Sequence, residues 1–229
     1  MRHELNTKRR LSECIRALFP MLFFFVLYMV AFEFVEHRIP EHGFNIIHAG
    51  LDDKIPFVEA FIVPYLLWFP YVACNIILLA LTDRKAYTKM SWVLMIGMTL
   101  FIVVSVVYPN ELRLRPAGFD HDDIFTRLIL NLYRTDTPTN VAPSIHVYNS
   151  LAIAAGVLEW SSHRKSLRAG IYAAASCIIA LAIVLSTMFI KQHSVIDVLA
   201  AAVLFAVTYY VCSAFCLRRD AVSGRRVNA

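Results

Sequence analysis

The sequence predicts an all-α polytopic membrane protein, a six-transmembrane-helix bundle with a short interfacial helix in one outer loop. Three observations predict it. Apolar runs of about 20 residues, enough to cross a bilayer, recur along the 229-residue chain. The chain is 59% hydrophobic with a mean hydropathy of +0.59, whereas a soluble domain is nearer half apolar and more highly charged. The basic residues collect in alternate connections between the runs, as membrane topology demands.

The spans are expected at about 18–36, 61–82, 91–109, 144–160, 169–188 and 194–216. They give a single domain over 18–216, an N-terminal segment over 1–17 and a tail over 217–229 that is expected to be disordered. The first run follows the basic stretch "KRRLSECIR" as a signal peptide would. It is longer than such a segment needs, and "EFVEHRIPEH" rather than a small-residue cleavage site follows it, so it is read as a span. Glu33 near its end is a charge at membrane depth, expected to face the bundle or to snorkel. Pro64 and Pro70 predict a kink in the second span.

Of the 22 Lys and Arg, 15 lie in the N-terminal segment, the "DRKAYTK" and "SSHRKSLR" connections and the tail. Basic connections stay cytoplasmic, which places both termini inside. The net charge of +5 is therefore mostly topological. It offers contact to anionic lipid and predicts no nucleic-acid partner. The other seven cations, Arg38, Lys54, Arg113, Arg115, Arg127, Arg134 and Lys191, fall on the outer side, four of them within 110–143. There the apolar residues Ile124, Phe125, Leu128, Ile129 and Leu132 recur at helical spacing and predict a helix lying along the membrane surface. The five cysteines show no zinc or redox spacing.

Three groups of polar residues meet at the outer face although they are far apart in sequence. These are "LRLRP" (112–116), "PSIH" (143–146) and "KQHSVID" (191–197). His193 and Asp197 are four apart, so on a helix they share a face. A carboxylate beside an imidazole holds one ring nitrogen protonated and leaves the other free. Pro143 and Ser144 suit the start of a helix, with Ser144 as its cap, and His146 then sits in the first turn. Two histidines at one depth, one backed by a carboxylate, with Arg115 and Lys191 near and helix N-termini to favour negative charge, suit phosphoryl transfer. One histidine attacks phosphorus, the other protonates the leaving oxygen, and the cations hold the remaining oxygens. Each residue also has a plainer reading: an interface histidine, a structural hydrogen bond for His193 with Asp197, a lipid anchor for Arg115. The run "DHDD" (120–123) reads as a solvated acidic loop or as a site for a divalent cation.

The three groups together resemble the pattern of the type 2 phosphatidic acid phosphatase superfamily of membrane lipid phosphatases and phosphotransferases: Lys-x6-Arg-Pro, Pro-Ser-x-His and Ser-Arg-x5-His-x3-Asp. Arg115 and Pro116 match the first piece. Pro143, Ser144 and His146 match the second. Ser186, His193 and Asp197 match the third. The likeness covers about 108–200. It implies His193 as the nucleophile that becomes a phosphohistidine, Asp197 as its orienting carboxylate, His146 as general acid, and Arg115 and Ser144 as phosphate ligands, with no metal and no cofactor. Tyr108 stands where the family has Lys, Thr187 where it has Arg, and Ile145 where Gly is commoner. Arg113 and Lys191 are candidates to replace the two missing cations. "PSIH", "KQHSVIDV" and "TDTPTN" look more like the branch of inositol phosphorylceramide synthases and related bacterial membrane proteins, which adds Asp136 and Asn140 as residues behind the site and points to a bacterial plasma membrane.

The expected function is thus a lipid phosphatase acting at the outer face on a lipid phosphate or pyrophosphate. One rival is phosphoryl transfer to an alcohol acceptor. Others are a lipid-phosphate-binding or transport protein without catalysis, and a haem protein using the paired histidines.

Overall fold

The computed structural model describes residues 2–119 and 122–227, with side chains described for 15–119 and 122–216. Eight α-helices carry the fold in the order α1 (Arg2–Glu36), β1 (Asn45–Ile47), a 3-10 turn (Glu59–Phe61), α2 (Ile62–Leu66), α3 (Trp68–Thr82), α4 (Arg84–Val107), β2 (Asn110–Leu112), α5 (Ile124–Thr135), α6 (Ile145–Arg164), α7 (Leu167–Phe189) and α8 (Val195–Val227).

Among the described residues, five stretches are long and apolar enough to cross a membrane: Ile15–Glu36, Glu59–Thr82, Arg84–Val107, Leu167–Phe189 and Val195–Cys216. Each shows large apolar side chains outward, such as Phe23 and Phe34 on α1, Ile178 on α7 and Val203 on α8. The expected fourth span, α6, is of similar length but carries His146, Asn149, Ser150 and Glu159. It can, because it packs against α3, α4, α7 and α8 and buries Val147, Tyr148, Ile153 and Val157 against protein. A helix that meets little lipid has little need of an apolar surface.

Local signals explain most boundaries. Asp83 caps α4, its carboxylate accepting from the backbone N–H of Lys85 and Ala86, so this helix starts seven residues before the expected 91. Ser144 caps α6 as expected, accepting from Val147 N–H at 3.4 Å. Ser166 caps α7. The second span is divided at Leu67 into α2 and α3, where Pro70 has no N–H to offer the Leu66 carbonyl. Glu33 lies at the solvent-reachable end of α1 and pairs with His37, so it is a surface charge. The short helix expected between the third and fourth spans forms as α5 over 124–135, capped by Asp123, which accepts from Thr126 N–H. Its apolar side meets Ile62, Tyr65 and Ile190.

The described residues are mainly helical, as an all-α membrane protein requires, and α8 continues to Val227. Extended connections join the helices at the site end. Asn45–Ile47 and Asn110–Leu112 pair as a short parallel ribbon, because extended connections must also satisfy their backbone groups.

Among the described glycines, Gly97 has the least room for a side chain. A Cβ there would lie 2.0 Å from the Tyr148 ring, whose hydroxyl donates to the Val93 carbonyl at 2.7 Å and meets Thr208 Oγ1 at 2.7 Å. Gly97→Ala is expected to cost about 1–3 kcal/mol through overpacking, read as a lower thermal midpoint in detergent.

Candidate functional site

The ends of α1, α4 and α7 and the starts of α6 and α8 gather at one end of the bundle. The connection between α7 and α8 is only five residues, 190–194. In it the Thr187 carbonyl accepts from the N–H groups of both Gln192 and His193, at 2.9 and 3.0 Å, and Lys191 takes a left-handed backbone with φ +54°.

His193 therefore lies just before α8, not on a face of it as the four-residue spacing suggested. Its pairing with Asp197 comes from helix capping instead. Ser194 occupies the cap, and its Oγ accepts from Ile196 N–H at 3.1 Å. Asp197 Oδ2 reaches back to accept from Ser194 N–H at 2.9 Å. This reciprocal capping holds the Asp197 carboxylate 3.4 Å from His193 Nδ1. Both side chains are buried, Asp197 completely. A protonated Nδ1 facing Asp197 leaves Nε2 unprotonated.

The Asp197 carbonyl accepts from Ser144 N–H at 3.2 Å, which ties the start of α6 to the start of α8. His146 follows on α6, its ring centroid 5.8 Å from that of His193. Tyr65 and Trp68 flank the His146 ring at 4.6 and 4.5 Å. His146 Nδ1 is buried without a hydrogen-bond partner. Both histidines line a cavity of about 50 Å³ whose wall includes Asp136, Asn140, Gln192 and, on its apolar side, Phe32 and Phe101.

The remaining expected residues divide. Asp136 is brought into the cavity wall, with its Oδ2 accepting from Tyr65 Oη and Gln192 Nε2, both at 3.2 Å. Burial raises its pKa above the usual carboxylate value, against the pull of His193 and Arg115. Asn140 also lines the cavity, and its Oδ1 is buried without a partner. Arg115 stands one layer back. It lies over the Tyr133 ring and donates to the carbonyls of Tyr133 and Asp136 and to Gln192 Oε1, the last two at 2.7 Å. Its Nε is buried without a partner.

Ser144 is fully buried as the α6 cap. Ser186 and Thr187 turn their hydroxyls onto the carbonyls of Ile183 and Val184 inside α7, so Thr187 contributes to the site by its carbonyl. Lys191 does not reach the cavity: its ammonium donates to the carbonyls of Asp52 and Ile55 at 2.8 and 2.6 Å. The left-handed turn at Lys191 carries its side chain away from His193. Arg113 is also elsewhere, exposed and paired with Glu111 two residues before it.

Asp120 and His121 of the acidic run lie outside the described residues. Of the other two, Asp122 pairs with Arg127 and Asp123 caps α5. Among the described residues no group of three His, Cys, Asp or Glu side chains is arranged to hold a metal ion.

Sequence reasoning missed Gln192, which bridges Arg115 to Asp136, although it stands beside His193 in the stretch that was singled out. It also missed Tyr65 and Trp68, whose apolar surroundings hid them, and Asn110, whose side chain bonds Tyr108 O and Ala142 N–H and so shapes the approach to Ser144. Comparison of the chain with family models, with curated proteins and with solved structures gives no match.

Proposed function

We propose that this chain is a six-span membrane enzyme that removes or transfers a phosphoryl-containing group on a lipid through a phosphohistidine on His193. The observation that carries this reading is the facing pair of histidines, with His193 alone backed by a buried carboxylate. Two imidazoles so placed divide the labour that phosphoryl transfer needs. Unprotonated Nε2 of His193 attacks phosphorus from about 3 Å. His146 gives a proton to the departing oxygen across a hydrogen bond of about 3 Å. Asp197 keeps the His193 proton on Nδ1 and stabilises the cationic ring after attack. In the second step His146 takes the proton of the incoming hydroxyl as the phosphoryl group leaves His193.

α6 serves as the sixth span in this reading, shielded from lipid by its neighbours. The basic ends at Arg84, Arg164 and Lys165 face the cytoplasm, and the site faces the outer side. A lipid substrate suits it, because the cavity opens between polar groups on one side and Phe32 and Phe101 on the other. Phosphate release from a panel of lipid phosphates and pyrophosphates, in detergent with chelator, is the direct test. Release that withstands chelator supports the reading, and no release from any lipid opposes hydrolysis.

One observation favours transfer to an alcohol over hydrolysis. Asp136 places a carboxylate in the cavity wall, where it opposes a dianionic phosphate yet accepts well from a hydroxyl group. Arg115, one layer back from the cavity, is engaged with protein acceptors. Supplying an alcohol acceptor and finding a new lipid separates transfer from hydrolysis.

A further inference from the structure

The connection between α1 and α2 reaches across the protein to the turn that carries His193. Asp52 is 1% exposed and lies 142 residues from Ser194 in sequence, yet its carboxylate is fully engaged there. Oδ2 accepts from Ser194 Oγ at 2.6 Å and from Ala49 N–H at 2.8 Å, and Oδ1 accepts from Val195 N–H at 2.8 Å. The Asp52 carbonyl, with that of Ile55, holds the Lys191 ammonium. Val58 N–H donates to the Phe189 carbonyl at 3.0 Å.

The turn is thus clamped on both sides of His193, at 189 and 191 before it and at 194 and 195 after it. Lys191 has a backbone conformation uncommon for a residue with a side chain, and its two carbonyl bonds hold it there. Ser194 is doubly used: its N–H serves Asp197 and its hydroxyl serves Asp52. Releasing the hydroxyl frees the cap that aims Asp197 at His193 Nδ1.

We propose that Asp52 is a positioning residue for His193. Through Ser194 and Val195 it sets the reach between Asp197 and the His193 ring, and so fixes the proton on Nδ1. The proposal rests on the reading of His193 as the nucleophile, but its structural core is tested without turnover. Histidine-labelled protein in detergent micelles reports the tautomer of each ring by nitrogen NMR, with the His193 signals assigned by their loss in His193→Gln. Wild type is expected to show one His193 tautomer, protonated on Nδ1. Asp52→Asn, which keeps size but places a donor against N–H and O–H donors, is expected to populate both tautomers. Ser194→Ala, which removes only the 2.6 Å bond, is expected to lie between. Asp53→Asn removes a charge from the same connection, where Asp53 pairs with exposed His48, and is expected to match wild type.

Where turnover is measurable, Asp52→Asn is expected to lower kcat about tenfold with KM unchanged. A folded Asp52→Asn with the wild-type His193 tautomer overturns the proposal, as does mixed tautomers in wild type itself. Should Asp52→Asn fail to fold, Ser194→Ala decides on the same criterion. A wild type that keeps the single tautomer yet turns over no lipid phosphate contradicts the phosphoryl-transfer reading and leaves the positioning role supported.

Discussion

His193→Ala is expected to lower turnover of the preferred lipid by about 10⁴-fold or more, the scale on which loss of an enzyme nucleophile acts. The loss should fall on kcat. KM should change little, because the His193 ring makes its bond to phosphorus only as the reaction proceeds, and a group used only beyond the ground state contributes to rate and not to binding. Truncation leaves a small hole in a turn held by Gln192, Ser194 and the Thr187 carbonyl, so the fold should survive, and an unchanged thermal midpoint checks that it does. Steady-state kinetics in detergent are the measurement. A fall of less than tenfold in a folded variant would assign the attack to water or to another group.

The second large effect is expected at His146, and its size should depend on what leaves. His146→Gln removes a proton donor that contributes about 10²–10⁴-fold while keeping a polar side chain between Tyr65 and Trp68. An alkoxide leaves poorly without a proton, so a lipid monophosphate should suffer the full loss. An aryl phosphate with an acidic leaving phenol needs little help and should lose tenfold or less. Comparing the two substrates across wild type and His146→Gln separates proton donation from binding, since a binding role would penalise both alike.

Much of this architecture is legible in the sequence because lipid imposes simple rules. The apolar runs of α1, α3, α4, α7 and α8 follow from bilayer thickness, and the amphipathic spacing of Ile124 to Leu132 marks α5. Pro143 and Ser144 mark the start of α6 because a helix cap needs a short oxygen-bearing side chain. The convergence of 143–146 with 191–197 follows from topology alone, and the Ser144 N–H bond to the Asp197 carbonyl is its atomic form.

What was not legible depends on local backbone turns that pattern cannot register. The sequence spacing of His193 and Asp197 gives the right pair by the wrong geometry, since a five-residue turn and a capping interaction make the contact. Lys191 stands two residues from His193, yet its left-handed backbone directs the ammonium onto the carbonyls of Asp52 and Ile55. Arg113 and Arg115 are two apart and still part ways, one to Glu111 and the other to Gln192. Asp52 gives no signal at all in "LDDKIP", because its partners in the turn at 191–195 are more than 130 residues away. α6 appears less lipophilic than its neighbours for a physical reason also hidden from a window of residues: the other helices surround it.

The account turns on a covalent bond between phosphorus and His193, and trapping that bond tests it most directly. Protein quenched during turnover of a phosphorus-labelled lipid should carry label that is lost in mild acid and retained in base, as a phosphoramidate is, and mass spectrometry of the peptide containing residues 191–197 should place it on His193. His146→Gln should accumulate the same adduct, because proton transfer also assists its discharge, and His193→Ala should carry none. Label that survives acid, maps to another residue or persists in His193→Ala would contradict the account.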